Sequence, residues 1–302
     1  MPHIRDIQIR DPFILPENGN YYLFGSTDKD IWRSLGVGFD MYISRGKHNK
    51  IASLAEFEGP FPCFRPPEGF WSETNFWAPE VYKYQGEYCM FATFKPKAGR
   101  RGTAVLKSKS LEEPFLPWSD GPVTPAEWEC LDGSLHLDLE GKPWMVFCHE
   151  WQQAVDGEIC LLPLSDDLKA PAGEAALLFR ASEAPWSSAL KGRTVTGYVT
   201  DGPYLYTAKN HALLMLWSSF GPDGKYRIGL AASESSRIQG PWKQSSEALY
   251  AADGGHGMFF HSFDGTLCMA LHSPNNTPNE RAIFIEMIEE EGMVRLGKKI
   301  IS

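Results

Sequence analysis

Residues 11–24 read Asp-Pro-Phe-Ile-Leu-Pro-Glu-Asn-Gly-Asn-Tyr-Tyr-Leu-Phe, and residues 78–91 read Ala-Pro-Glu-Val-Tyr-Lys-Tyr-Gln-Gly-Glu-Tyr-Cys-Met-Phe. The two stretches align without a gap. Each has a small or acidic start, an apolar run, a turn at Asn18-Gly19 or Gln85-Gly86, and an aromatic run, which is the signature of a β-hairpin. Three further starts fit the same frame. Asp132-Gly-Ser-Leu-His-Leu turns at Glu140-Gly141 into Pro143-Trp-Met-Val-Phe. Asp201-Gly-Pro-Tyr-Leu-Tyr turns near Asn210 into Leu213-Leu-Met-Leu-Trp. His256-Gly-Met-Phe-Phe turns at Asp264-Gly265 into Leu267-Cys-Met-Ala-Leu.

After each hairpin comes a variable loop and then a third apolar run: Met41-Tyr-Ile-Ser, Thr103-Ala-Val-Leu-Lys-Ser, Glu158-Ile-Cys-Leu-Leu, Arg227-Ile-Gly-Leu-Ala and Arg281-Ala-Ile-Phe-Ile. A weaker fourth run often carries Pro-aromatic, as at Pro60-Phe61, Pro114-Phe115 and Pro241-Trp242. Four strands repeated roughly every 60 residues predict propeller blades. The expectation is an all-β, five-bladed β-propeller, with residues 1–302 as a single domain. A plain β-sandwich would leave the matched starts unexplained.

Composition agrees with a turn-rich β protein, with 28 Gly and 22 Pro in 302 residues. A formal net charge of −9 and the lack of any Lys/Arg run argue against nucleic acid, whose phosphates need a basic patch. No apolar stretch is long enough for a membrane span. The start Met-Pro-His-Ile-Arg-Asp does not read as a signal peptide, so a cytoplasmic location is expected. The six cysteines form no CxxC, and most sit in apolar runs, so they are expected to be buried free thiols. There is no GxxxxGK[ST] for nucleotides and no GxSxG for a serine hydrolase.

In a propeller the first strand of each blade lines the axis, so the five starts converge at one mouth: Asp11, Ala78, Asp132, Asp201 and His256. Charges gathered this way are costly unless they serve a purpose, and a carboxylate cluster therefore points to chemistry. The second strands return to the same mouth and bring His149-Glu150-Trp151 with them. The segment before the second blade adds Trp71, Asn75, Phe76 and Trp77, and the third-strand starts add Glu158 and Arg281. Carboxylates, one Arg and flat aromatic walls suit a sugar, and paired carboxylates are the chemistry of glycoside cleavage.

Arg10-Asp11-Pro12-Phe13, Phe76-Trp77-Ala78-Pro79-Glu80, Leu131-Asp132-Gly133-Ser134, Asp201-Gly202-Pro203 and Gly255-His256-Gly257 resemble glycoside hydrolase family 43 in order and blade position. The resemblance covers essentially the whole chain. It implies an inverting enzyme on a five-bladed propeller that acts on an oligosaccharide or glycoside. Exo-action on α-L-arabinofuranosides or β-xylosides is expected first, and on β-galactosides next. It implies Asp11 as general base and Asp132 as the acid that orients the site and tunes the proton donor. It also implies Arg281, with Trp77, Phe76, Trp71 and His149, as sugar contacts. His256 would sit beside calcium or water on the axis, with no cofactor required. One position departs: the family has Glu-Gly-Pro where this chain has Asp201-Gly202-Pro203, and that Glu is the general acid. Either Asp201 serves as a shorter acid or Glu150 takes its place. The same departure keeps a non-catalytic sugar-binding propeller as an alternative, beside a propeller glycoside phosphorylase.

Overall fold

The alternating apolar runs and their glycine turns fold into antiparallel four-stranded sheets in a computed structural model, which describes residues 1–32, 35–46 and 54–301. The first blade is β1 (Arg10–Glu17), β2 (Asn20–Ser26), β3 (Phe39–Ser44) and β4 (Glu58–Phe64). The second is β5 (Thr74–Tyr84), β6 (Glu87–Lys95), β7 (Gly102–Ser108) and β8 (Leu116–Pro117). The third is β9 (Cys130–Leu137), β10 (Pro143–His149), β11 (Glu158–Pro163) and β12 (Ala176–Arg180). A short helix, α1 (Trp151–Ala154), follows β10, and a two-stranded hairpin, β13 (Leu190–Lys191) with β14 (Thr196–Gly197), leads to the fourth blade. That blade is β15 (Asp201–Thr207), β16 (Leu213–Phe220), β17 (Tyr226–Ser233) and β18 (Trp242–Gln244). The fifth is β19 (Gly255–His261), β20 (Leu267–Ser273), β21 (Arg281–Glu290) and β22 (Met293–Ile301). Within each sheet the strands lie in sequence order. The innermost strands, β1, β5, β9, β15 and β19, adjoin one another around the axis. The fold is a five-bladed β-propeller.

The apolar cores lie between blades. One joins the second and third blades through Phe91, Val105, Phe147 and Leu162. Others join the third to the fourth through Phe179 and Trp217, and the fourth to the fifth through Leu216 and Met269. The largest spans the fifth, first and second blades and holds Phe24, Phe39, Phe64 and Phe94. Each such ring, fully buried, contributes about 1.5–3 kcal/mol over its exposed state. All six cysteines are buried free thiols, as expected. The ring is closed by the N-terminal segment. Ile4 N–H donates to Ala55 O, Ile9 N–H to Glu280 O, and the Arg281 guanidinium to Arg5 O at 2.7 Å.

Every innermost strand carries the same irregularity just after it begins. The ladder skips between Arg10 and Phe13, Trp77 and Glu80, Asp201 and Tyr204, and Gly255 and Met258, and opposite Val146–Cys148 in the third blade. At each skip one residue has a left-handed backbone: Asp11 (φ 54), Ala78 (φ 47), Asp132 (φ 56), Gly202 (φ 51) and His256 (φ 54). Such a bulge sets two residues against one on the partner strand, so neighbours such as Arg10 and Asp11, or Leu131 and Asp132, both reach the mouth of the axis. This corrects the sequence alignment by one residue in the fourth blade. The counterpart of Asp11 and Asp132 is Gly202, while Asp201 is the counterpart of Arg10, Trp77 and Leu131. Glycine is required at 202, since a Cβ there would stand 2.8 Å from His256 Cγ.

Candidate active site

A left-handed bulge leaves its own N–H pointing out of the ladder, and a buried N–H must find an acceptor. Four seams solve this in one way: a side chain of the preceding blade's second strand accepts. Ser26 Oγ accepts from Ala78 N at 2.8 Å, and Thr93 Oγ1 from Asp132 N at 2.9 Å. Ser218 Oγ accepts from His256 N at 2.9 Å, and His272 Nδ1 from Asp11 N at 3.2 Å. The remaining seam differs. Cys148 pairs with Leu131 where the other blades place Ser26, Thr93, Ser218 and His272. A thiol accepts weakly, and Gly202 N–H donates instead to Asp132 Oδ2 at 2.9 Å.

These bulges surround a cavity of ≈ 630 Å³ at one end of the axis. Asp11, Asp132 and His256 belong to its inner tier, and Arg10, Trp77, Leu131 and Asp201 to the tier before the bulge. Arg101, Glu150, Trp151, Leu190 and Tyr226 complete much of the wall. His256 Nδ1 lies 3.2 Å from Asp11 Oδ1 and 3.8 Å from Asp132 Oδ2. Burial opposes a charge on His256, but the two aspartates outweigh it and raise the imidazole to about 10, so it stands as an imidazolium between them. Burial would also raise Asp11. The charge and hydrogen bond of His256, with the charge of Arg10, reverse that and hold Asp11 well below the usual carboxylate range. Ser26 Oγ donates to Asp11 Oδ2 at 2.7 Å. His272 is also close to Asp11, at 3.5 Å, but this is no ion pair. Its Nδ1 accepts a backbone N–H and so carries no proton, consistent with burial and Arg10 pushing it well below its usual value.

The other two aspartates move the opposite way. Burial lifts Asp132 to about 6 against the pull of His256. Burial, with the charges of Asp132 and Glu150, lifts Asp201 to about 7, opposed by Tyr226, whose Oη donates to Asp201 Oδ2 at 2.9 Å. Glu150 is differently engaged. Its Oε2 meets Arg101 Nη2 at 2.9 Å in a buried pair, and the Arg101 guanidinium lies over the Trp77 ring at 5.0 Å. Below the cavity, Glu80 is buried against Tyr82, which also meets Ser134 at 2.9 Å, and burial raises Glu80 to about 7.

Of the residues expected at the mouth, Asp11, Asn75, Trp77, Asp132, Glu150, Trp151, Asp201 and His256 converge there. Four do not. Phe76 is buried in the aromatic core, 4.9 Å from Phe94 between centroids, because it precedes Trp77 and faces the other side of the strand. Trp71 packs on Phe70 and Phe94. His149 stacks on Trp128 at 4.5 Å and pairs with Glu158 at 2.8 Å, outside the cavity. Arg281 is consumed by the carbonyls of Arg5, Pro278 and Glu280. The axial calcium finds no donor set. Among the described residues no group of three or more His, Cys, Asp or Glu side chains is arranged to hold a metal ion. A calcium ion takes six to eight oxygens, whereas His256 offers one buried, unpartnered Nε2. The residues present do not fit the ion.

Among the cavity residues that the sequence reading did not place there are Arg10, Arg101 and Tyr226. Arg10 pairs with Glu280 at 3.3 Å and lies under Trp32 at 5.2 Å. Arg101 precedes β7, and Tyr226 opens β17. The third-strand start that pointed to Arg281 holds the useful groups in the second and fourth blades instead.

The pattern of the Glycosyl hydrolases family 43 matches residues 4–293. The chain belongs to glycosyl hydrolase family 43. It is a glycosidase with a carbohydrate substrate. The structure of an endo-arabinase from Bacteroides thetaiotaomicron VPI-5482 superposes with a TM-score of 0.88 at 39% identity, covering 96% of this chain and 98% of that one. Fold alone is shared with an endo-1,4-beta-xylanase from the same organism (TM-score 0.72, 22% identity, 98% and 96% covered). The same holds for an exo-1,5-alpha-L-arabinanase from a bovine ruminal metagenomic library (TM-score 0.68, 19% identity, 96% and 97% covered). These three proteins differ in substrate and in mode of attack.

Proposed function

We propose that this family 43 enzyme is an inverting hydrolase of arabinofuranosyl bonds in arabinan-type oligosaccharides. The observation that carries the reading is the opposite tuning of two carboxyl groups in one cavity. Asp11 is kept ionised by His256 and Arg10, and Asp201 keeps its proton to about 7. Environments that push two carboxyls apart assign a base and an acid. Asp11 takes a proton from water as the oxygen attacks the anomeric carbon. Asp201 gives its proton to the departing glycosidic oxygen as that bond breaks. Asp132, bonded to Gly202 N–H beside Asp201, fixes the acid's strand and adds the negative charge that keeps Asp201 protonated. Glu150 is the weaker candidate for the acid because Arg101 already holds it. Phosphorolysis lacks support for a similar reason: Arg10 and Arg101 are both paired with carboxylates.

The 39% relative supports arabinan as the substrate. A second cavity adjoins the first and shares Trp32, Trp151, Gln152 and Thr277 with it. That favours a chain bound on both sides of the cleaved bond, the reverse of the exo-acting expectation. The test is to digest linear arabinan and arabino-oligosaccharides and to follow the first-formed anomer by NMR. An inverted anomer, internal cleavage products and loss of turnover in Asp11→Asn support the reading. A retained configuration, or an active Asp11→Asn, contradicts it.

A further inference from the structure

The second cavity, ≈ 900 Å³, is built by elements that come from different blades. One lip is the segment after β2, with Lys29, Asp30 and Trp32. The other is the tip of the β13–β14 hairpin, with Gly192, Arg193, Thr194 and Val195. That hairpin is firmly braced. Gly192 packs so closely on Trp151 that a Cβ would stand 2.5 Å from the indole, and a Cβ at Gly197 would stand 2.0 Å from Val155 O. Its base places Leu190 in the first cavity while its tip faces the second. A sugar chain leaving the cleaved bond across the shared wall of Trp32 and Trp151 therefore enters a space framed by two cations.

Those cations are exposed, and among the described residues neither Lys29 nor Arg193 forms an ion pair. Asp30 is the sole acidic residue in the lining. In a protein of net charge −9, whose other cavity holds its arginines in carboxylate pairs, two uncommitted cations facing one groove form a local exception. A positive groove on an acidic protein concentrates and orients an anion. Resting on the glycosidase reading above, we propose that the second cavity binds a uronic-acid residue, so that the preferred substrate is an acidic glycan rather than a neutral one. Lys29 and Arg193 hold its carboxylate, and the half-exposed Trp32 receives the face of a neighbouring ring.

The experiment uses a matched pair: a uronic-acid-bearing arabino-oligosaccharide and its carboxyl-reduced, neutral counterpart. Wild type is expected to favour the acidic member by roughly fivefold in KM at low salt, the scale of two exposed charge pairs. The ratio should fall toward one in the double variant Lys29→Ala/Arg193→Ala and in about 0.5 M NaCl, where exposed charges are screened. No preference in wild type, or a preference that survives in the double variant, overturns the proposal. Binding of digalacturonate and of its carboxyl-reduced form, followed by tryptophan fluorescence, needs no turnover. Tighter binding of the acid that depends on Lys29 and Arg193 supports the site even if arabinan is not cleaved. Equal binding of both forms, or acid binding unchanged in the double variant, overturns it even if arabinan is cleaved.

Discussion

Four seams of the propeller and the fifth meet the same need with different groups. Where Ser26, Thr93, Ser218 and His272 accept the bulge N–H, the bond is structural, and the side chain below it is left to other work. At the seam of the third and fourth blades Cys148 occupies that position, and the carboxylate of Asp132 accepts from Gly202. The difference teaches how a repeated scaffold gains an asymmetric site. One weak acceptor in the ring transfers this hydrogen bond to the carboxylate of Asp132, which ties the position of Asp132 to the strand that presents Asp201.

The largest effect is expected from Asp132→Ala. It removes a charge from the site and leaves the Gly202 N–H without its acceptor. Activity should fall by about 100-fold or more, and stability by about 1–3 kcal/mol, read together by kinetics and denaturant unfolding. Gly202→Ala comes next. Its Cβ meets the His256 ring at 2.8 Å in a left-handed backbone, so the melting temperature should drop and activity with it, because His256 spans Asp11 and Asp132. Ser218→Ala sharpens the contrast. It orphans the His256 N–H at an ordinary seam, so it should cost a similar 1–3 kcal/mol, roughly the Asp132→Ala stability loss, while kcat/KM changes by less than about tenfold. If Ser218→Ala cost as much activity as Asp132→Ala, the seams would not be functionally distinct.

The smallest effect, and the most specific, belongs to Cys148→Ser. A hydroxyl at 148 restores the acceptor found in the other blades. Asp132 then loses the N–H that lowers it, and its carboxyl moves up from about 6. If Asp132 acts as a carboxylate, the acid limb of the pH–rate profile should shift upward with little change in stability. An unmoved acid limb would show that Cys148 is not the reason for the exchange.

The fold was legible because hairpins separated by Asn-Gly, Gln-Gly and Asp-Gly turns repeat with apolar strands on both sides. The aspartates at the blade starts were legible for the same reason. The bulge was not. It adds one residue to the strand, so matching Asp201 to Asp11 by their shared small-residue context placed it one step off, and φ at Gly202 marks the true counterpart. Side-chain direction was equally hidden. Phe76 and Trp77 are neighbours in sequence, yet one is core and the other cavity wall. Arg281 was chosen by its place at a third-strand start. That rule was sound for Tyr226 and nearly so for Arg101, but in the fifth blade the N-terminal segment occupies the space beside it.

The measurement that bears most directly on the central claim, that Asp201 is the proton donor, compares two substrates in Asp201→Asn and Glu150→Gln. Arabino-oligosaccharides need their leaving oxygen protonated, whereas a dinitrophenyl arabinofuranoside does not. Asp201→Asn should lose about 10²–10⁴-fold on the oligosaccharide, lose little on the activated glycoside, and abolish the decline in activity expected of wild type as pH rises through about 7. If Glu150→Gln shows that pattern and Asp201→Asn keeps its oligosaccharide activity, Asp201 is not the acid and the assignment made here is wrong.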